Sequence, residues 1–336
     1  MRKIDVIALT LVVVVASAGV TYYIAKHPLR QSREEKIRIG VEKPIQKLSP
    51  SDILKSPQVS LTTEAKTPAV GDAGTSPSVT EVSSLIIHPE WKPGATHVLG
   101  AYAVTKPRQF VGPVWSPLGL DVAFTTQDRA GIWIAGPNTV DARQLTDDRL
   151  SESEIIWAAD GMQILMSAID RRPVSLMLTG EKYPVPEIPK PVFEREGNIY
   201  IVDEEGESKR ISGSQDRFHS PKLSPDQTLV AYVGIETGLY VTTADGKRTI
   251  SVGKGQNPSW LPDSSGIVYD IPISDGLRTI DGDLWYAAAD GSERTNITNT
   301  PGIVEAYPAV SPDGQRITFV AEGAVYIGRL VRPKKR

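Results

Sequence analysis

The chain has 336 residues, with 37 Lys or Arg against 40 Asp or Glu and a formal net charge of −3. That balance offers no basic field to a polyanion, so DNA and RNA are excluded as expected partners. Cysteine is absent, which excludes disulfides, thiolate metal sites and a cysteine nucleophile. The length suits one large folded body with appendages.

Met1-Arg2-Lys3 leads into a nearly unbroken apolar run from Val6 to Ala25. As a helix, its roughly 20 residues would measure about 30 Å, enough to cross a bilayer core. Tyr22 and Tyr23 fall where an interfacial aromatic belt would lie. Residues 1–26 are expected to be an uncleaved transmembrane signal-anchor; the small-x-small sequence Ala16-Ser17-Ala18 keeps a cleaved signal peptide as the alternative. Lys26, Arg30, Arg33, Lys36 and Arg38 outnumber Arg2 and Lys3, so positive-inside counting alone leaves the folded part in the cytoplasm. Residues 27–84 then shift to Pro, Ser, Thr, Lys and Glu, with Pro44, Pro50, Pro57, Pro68 and Pro77 spaced through them. Such a composition buries too little surface to offset its ordering entropy, and predicts a disordered linker.

After the linker the chain repeats itself about every 40 residues. Val114 to Gly119 (VWSPLG) precedes the apolar runs DVAFTT and GIWIAG, and Ile156 to Gly161 (IWAADG) precedes QILMSA and SLMLTG. The same order returns from Lys222 (KLSPDQ, LVAYVG, GLYVTT), from Ser259 (SWLPDSSG, IVYDI, DLWYAA) and from Ala306 (AYPAVSPDG, RITFVA, AVYIGR). Polar strands such as RQLT, KRTISV and RTNIT close the units. Asp-Gly and Ser-Pro-Asp-Gly place turn formers where short strands reverse. The second and third runs barely alternate, as strands do when both faces of a small sheet are covered. Proline two residues before the anchor, as in Pro113-Val114-Trp115, lacks a ladder donor and belongs on an edge strand, here the innermost.

In these residues the chain resembles TolB-like β-propellers, also described as WD40-like PD40 repeats. The resemblance covers roughly Val111 to Leu330 and implies an all-β fold. The missing Trp-Asp ending of ordinary WD40 repeats implies six blades rather than seven. Between Thr179 and Asn198 the expected anchor gives way to Pro184, Pro186, Pro189 and Pro191, so one blade is degenerate. The propeller is assigned to residues 85–331, with a basic tail over 332–336. Because the last unit supplies three strands, His97 to Val104 is expected to complete it and remove an open edge.

No Gly-x-Ser-x-Gly occurs, and His27, His88, His97 and His219 show no zinc-ligand spacing. Asp281-Gly282-Asp283 lacks the further acidic positions of a calcium loop and reads as a strand-entry turn. Neither metal nor cofactor is expected, and the protein is expected not to be an enzyme. The Asp-Gly turns lie on one face of the disc, set by hairpin geometry; the other face carries longer loops with Arg149, Arg172, Arg217, Phe218, His219, Arg278 and Glu305, the candidate binding residues. The resemblance implies a membrane-tethered, non-catalytic module on the extracytoplasmic side that binds a protein or cell-envelope partner. The alternatives are a carbohydrate- or peptide-binding sensor in the channel, or a propeller hydrolase or lyase.

Overall fold

The computed structural model describes residues 10–16, 19–25, 84–85 and 95–333, apart from 140, 152–154, 168, 170–171, 186–187, 189 and 204. Thr10–Ala16 and Gly19–Ala25 run as an antiparallel pair. The rest of that segment and nearly all of the linker lie outside the described residues. Among the described residues, no helix is long and apolar enough to cross a membrane.

The repeats fold into a six-bladed β-propeller. Blades 1, 2, 4 and 5 are four-stranded antiparallel sheets running in chain order, with inner strands Phe110–Trp115, Ile156–Trp157, Phe218–Leu223 and Gln256–Trp260. The second strands of blades 1, 2, 4 and 6 are buried along nearly their whole length, as in Val122–Thr126 and Arg316–Ala321, which explains why their sequences do not alternate. Blade 6 joins Glu305–Val310, Arg316–Ala321 and Ala324–Val331 to His97–Ala103 and Ser84–Leu85. Val331 pairs with His97 and Leu330 with Val98, so the two ends of the propeller share one sheet, as expected from the missing fourth strand.

Blade 3 is the degenerate one, with Val192–Arg195, Asn198–Val202 and Ser208–Arg210. These correspond to the second, third and fourth strands of a full blade. Ile211 N donates to Ile199 O, and Ser212 Oγ accepts from Ile199 N; in blade 5, Ile297 N donates to Leu284 O and Thr298 Oγ1 accepts from Leu284 N. The missing element is therefore the inner strand. The chain covers that stretch with Pro-rich sequence, and proline cannot donate to a ladder. Lys182–Pro184, from the same stretch, becomes the outer strand of blade 2.

Two local devices recur. In each full inner strand that carries an x-Pro pair, the residue before proline is left-handed: Gly112 (φ 58°), Ser220 (51°), Asn257 (51°) and Tyr307 (55°). The ladder register shifts at all four, so the proline sits at a β-bulge as well as on an edge. The turn after the anchor is equally regular, since Asp160, Asp226, Asp263 and Asp313 each accept the backbone N–H two residues on.

Tryptophan anchors join blade to blade. Trp157 Nε1 donates to Val114 O (3.2 Å) and Trp260 Nε1 to Lys222 O (2.8 Å), each reaching the inner strand of the preceding blade. Trp115 Nε1 donates to Ala309 O at 3.2 Å across the closing seam between blades 6 and 1. Arg316 covers the same indole, 4.5 Å from its centroid, and donates to Gly119 O. Replacing Trp115 by Phe should cost about 1–3 kcal/mol, from the lost bond and the smaller ring. Urea unfolding checks this; an unchanged midpoint would mean the indole does not secure the closure.

Candidate functional site

Strand direction places the starts of the inner strands, the turns between second and third strands and the ends of the outer strands on one face. The candidate residues all belong to these segments, but they do not gather into one cluster. Arg149 ends the outer strand of blade 1, exposed, with Nε donating to Asp128 O at 3.2 Å. Arg172 is exposed ahead of Val174–Met177. Arg217 and His219 are exposed around the start of Phe218–Leu223, with His219 Nδ1 2.9 Å from Ser220 Oγ. Beside them Asp216 accepts from Glu236 N, Thr237 N and Thr237 Oγ1. The Thr237 hydroxyl, helped by these amides, holds the carboxyl down to about 2. Arg278 stands at the tip of a long hairpin, Gly266–Ser274 with Thr279–Ala288, whose turn Asp275 braces by accepting from Leu277 N and Arg278 N. Asp281-Gly282-Asp283 thus lies inside a strand rather than at its entry. Arg332, assigned to the tail, is held on the disc by Asp263 at 3.0 Å.

Two candidates are withdrawn from the surface. Phe218 is 1% exposed, its ring edge-on to Tyr232 and Tyr240, and Glu305 is also 1% exposed. Both stand two residues before the left-handed position of their inner strands, a place filled in blade 1 by buried Phe110. In blade 5 the corresponding Gly255 leaves room for the Tyr269 ring, which a Cβ there would meet at 2.4 Å. Glu305 is an acid in a slot that two other blades fill with phenylalanine.

A cleft of about 540 Å³ opens on the loop face of blade 1, lined by Arg108, Gln109, Thr126, Gln127, Asp128 and Ala130. Arg108 is steadied by its guanidinium lying 4.3 Å from the Trp133 ring centroid. Asp128 accepts from Thr126 Oγ1 (2.6 Å) and Ala130 N (3.3 Å), and these bonds, the threonine first, hold its carboxyl below the ordinary range. The lining combines a cation, a carboxylate, two amides and a hydroxyl. Sequence reasoning missed it because its residues sit in turns outside the repeated pattern; the signal available was Gln127-Asp128-Arg129 on the face already singled out.

Two buried carboxyls occupy the seam between blades 5 and 6. Asp270, 0% exposed, accepts from Gln256 Nε2 (3.0 Å), Asn257 Nδ2 (2.9 Å) and Tyr307 N (3.1 Å), tying two inner strands together. Burial nevertheless pushes it up to about 6. Burial pushes Glu305 up to about 7; the Thr298 and Thr300 hydroxyls beside it pull partway back, and Asp283 adds repulsion. Neither Glu305 oxygen has a hydrogen-bond partner among the described residues, nor has Thr300 Oγ1. Among those residues no group of three or more His, Asp or Glu side chains gathers around a metal position.

No family model matches the sequence, and no curated protein does. Similar solved structures include a gluconolactonase from Xanthomonas campestris (11% identity, TM-score 0.49, 69% of this chain and 90% of that one). An oligogalacturonate lyase from Vibrio parahaemolyticus is similar at 10% identity and TM-score 0.42, over 74% of this chain and 98% of its own. A TolB-like protein from Agrobacterium tumefaciens is similar at 18% identity and TM-score 0.33, over 64% and 71%. The likeness is one of fold. The expectation of a non-enzyme is withdrawn on chemical grounds: a missing serine-hydrolase motif with scattered histidines excludes particular chemistries, not catalysis, and the fold itself fixes neither.

Asp270 gives the fold a pH dependence of defined sign. Its folded value of about 6 stands above the ordinary 3.8, so between those values the folded state keeps a proton that the unfolded chain releases. The group's contribution is greatest below about pH 4, declines as pH rises to about 6 and is level above, with an amplitude of ~3 kcal/mol. Asp270→Asn should remove that decline. Urea unfolding from pH 4 to 7 checks this, and a constant difference between wild type and variant would refute it.

Proposed function

We propose that the propeller binds a hydroxyl-rich ligand, a carbohydrate, in the blade 1 cleft on its loop face. The observation that carries this is the lining of Arg108, Gln109, Thr126, Gln127 and Asp128. Donors and acceptors alternate there with one charge of each sign, which suits neutral groups that each donate and accept. A peptide ligand would call for apolar side-chain pockets or an unpaired strand edge. The reading keeps the tether to a membrane in the cell envelope as part of the proposal, resting on the apolar run from Val6 to Ala25. A hydrolase or lyase acting on the same ligand class would use the same cleft.

Screening the full chain against oligosaccharides of neutral and acidic type, then titrating the best by calorimetry, tests this. Arg108→Ala and Gln127→Ala should each weaken binding about tenfold, a loss of ~1.4 kcal/mol, with the melting temperature unchanged. Product analysis after long incubation separates capture from turnover. Failure to retain any glycan, or binding indifferent to both substitutions, would overturn the reading.

A further inference from the structure

We propose that Glu305, Asp283, Thr298 and Thr300 form a site for a hard cation, calcium by its ligand chemistry, in the seam between blades 5 and 6. It is separate from the blade 1 cleft and does not rest on it. The sequence Asp281-Gly282-Asp283 is too short of acids for a calcium loop; the fold supplies another from the following blade. Glu305 reaches this place because it opens the inner strand of blade 6, in the slot that holds Phe110 and Phe218 elsewhere. There it is 1% exposed, and both its oxygens lack a partner. Thr300, 3% exposed, presents a third unpartnered oxygen, and the buried Thr298 hydroxyl borders the same carboxyl.

The surroundings are organised for oxygen ligation. Asp283 acts on Glu305 as a neighbouring like charge. Its Oδ1 accepts from Thr300 N (3.0 Å) and its Oδ2 from Asn296 Nδ2 (2.8 Å), which fixes the carboxylate and the Thr300 loop against each other. Asp281 Oδ1 accepts from Gly302 N at 3.2 Å and pins the same loop from its other end. Carboxylates and hydroxyls, without imidazole or sulfur, select hard cations over zinc or copper. A bound cation would partner the oxygens left without a hydrogen bond and offset the repulsion between the two carboxylates, which the neighbouring Thr298 and Thr300 hydroxyls relieve only in part.

The test is thermal unfolding of the chelator-treated full chain with calcium, magnesium or sodium added singly, alongside equilibrium dialysis with radiolabelled calcium. Calcium about a hundredfold above its Kd should raise the melting temperature by about 5 °C or more, and dialysis should find a site that Glu305→Gln removes. Thr300→Val should weaken calcium binding about tenfold without removing the carboxylates, and it carries the test if Glu305→Gln does not fold. A melting temperature indifferent to calcium, a response to magnesium or sodium alone, or calcium binding retained at wild-type strength in both variants would overturn the proposal.

Discussion

The closure of the ring in blade 6 is the constraint on which the rest depends. His97–Ala103 pairs with Ala324–Val331, so a strand from the start of the propeller completes a sheet made from its end. Without that pairing, the apolar strand Ala324–Val331 would present an open ladder edge. The Trp115 indole reinforces the join from the other side of the seam by donating to Ala309 O. Once the circle is closed, the full blades cover one another's second strands, and burial of residues such as Phe124, Tyr232 and Phe319 follows.

The bulge before proline sets what the inner strands can present. A left-handed residue at Gly112, Ser220, Asn257 or Tyr307 interrupts the simple alternation of a strand. Residues on either side of it therefore do not follow one parity count. This is how the position two residues upstream turns into the body of the disc, carrying Phe110 and Phe218 to apolar partners and Glu305 to oxygens. A short extended segment at the channel mouth acquires a buried end that its exposed neighbours do not predict.

Much of the architecture was legible because it depends on local chemistry repeated several times. Asp-Gly turns, Trp anchors and unbroken apolar runs each have a reason within a few residues, and together they mark the repeat, the closure and the degenerate blade, while the count of six rests on the resemblance to TolB-like propellers. The partners of the anchors were not legible, since Trp115 and Ala309 lie 194 residues apart. Phe218 and Glu305 were read as loop-face groups because the bulge hides their direction. Of the named arginines, Arg149 alone is tied to the cleft, through Asp128 O. The cleft itself brings Arg108 beside Gln127 through the antiparallel pairing of Phe110 with Thr126 inside blade 1, where Gln127 N donates to Gln109 O at 2.9 Å; both residues lie just outside the repeated strand pattern.

The distribution of joining devices around the ring gives the blade 5–6 seam its character. Indole bonds secure the seams 6–1, 1–2 and 4–5. At the corresponding place in blade 6 stands Val310, whose N–H donates to Ser259 Oγ at 3.3 Å, a longer and weaker link than the 2.8 Å bond of Trp260. What replaces the indole is a set of carboxylates: Asp270 spans from Gln256 and Asn257 to Tyr307, while Asp281 and Asp283 hold Gly302 and Thr300 from across the same seam. Hydrogen bonds to charged groups are stronger than neutral ones, but burying the charge works against them. Asp270 and Glu305 both show that penalty as raised proton affinity. A seam built this way responds to protons and, on the proposal above, to cations. The disc therefore combines three indole-bonded joints with one whose strength depends on the solution around it.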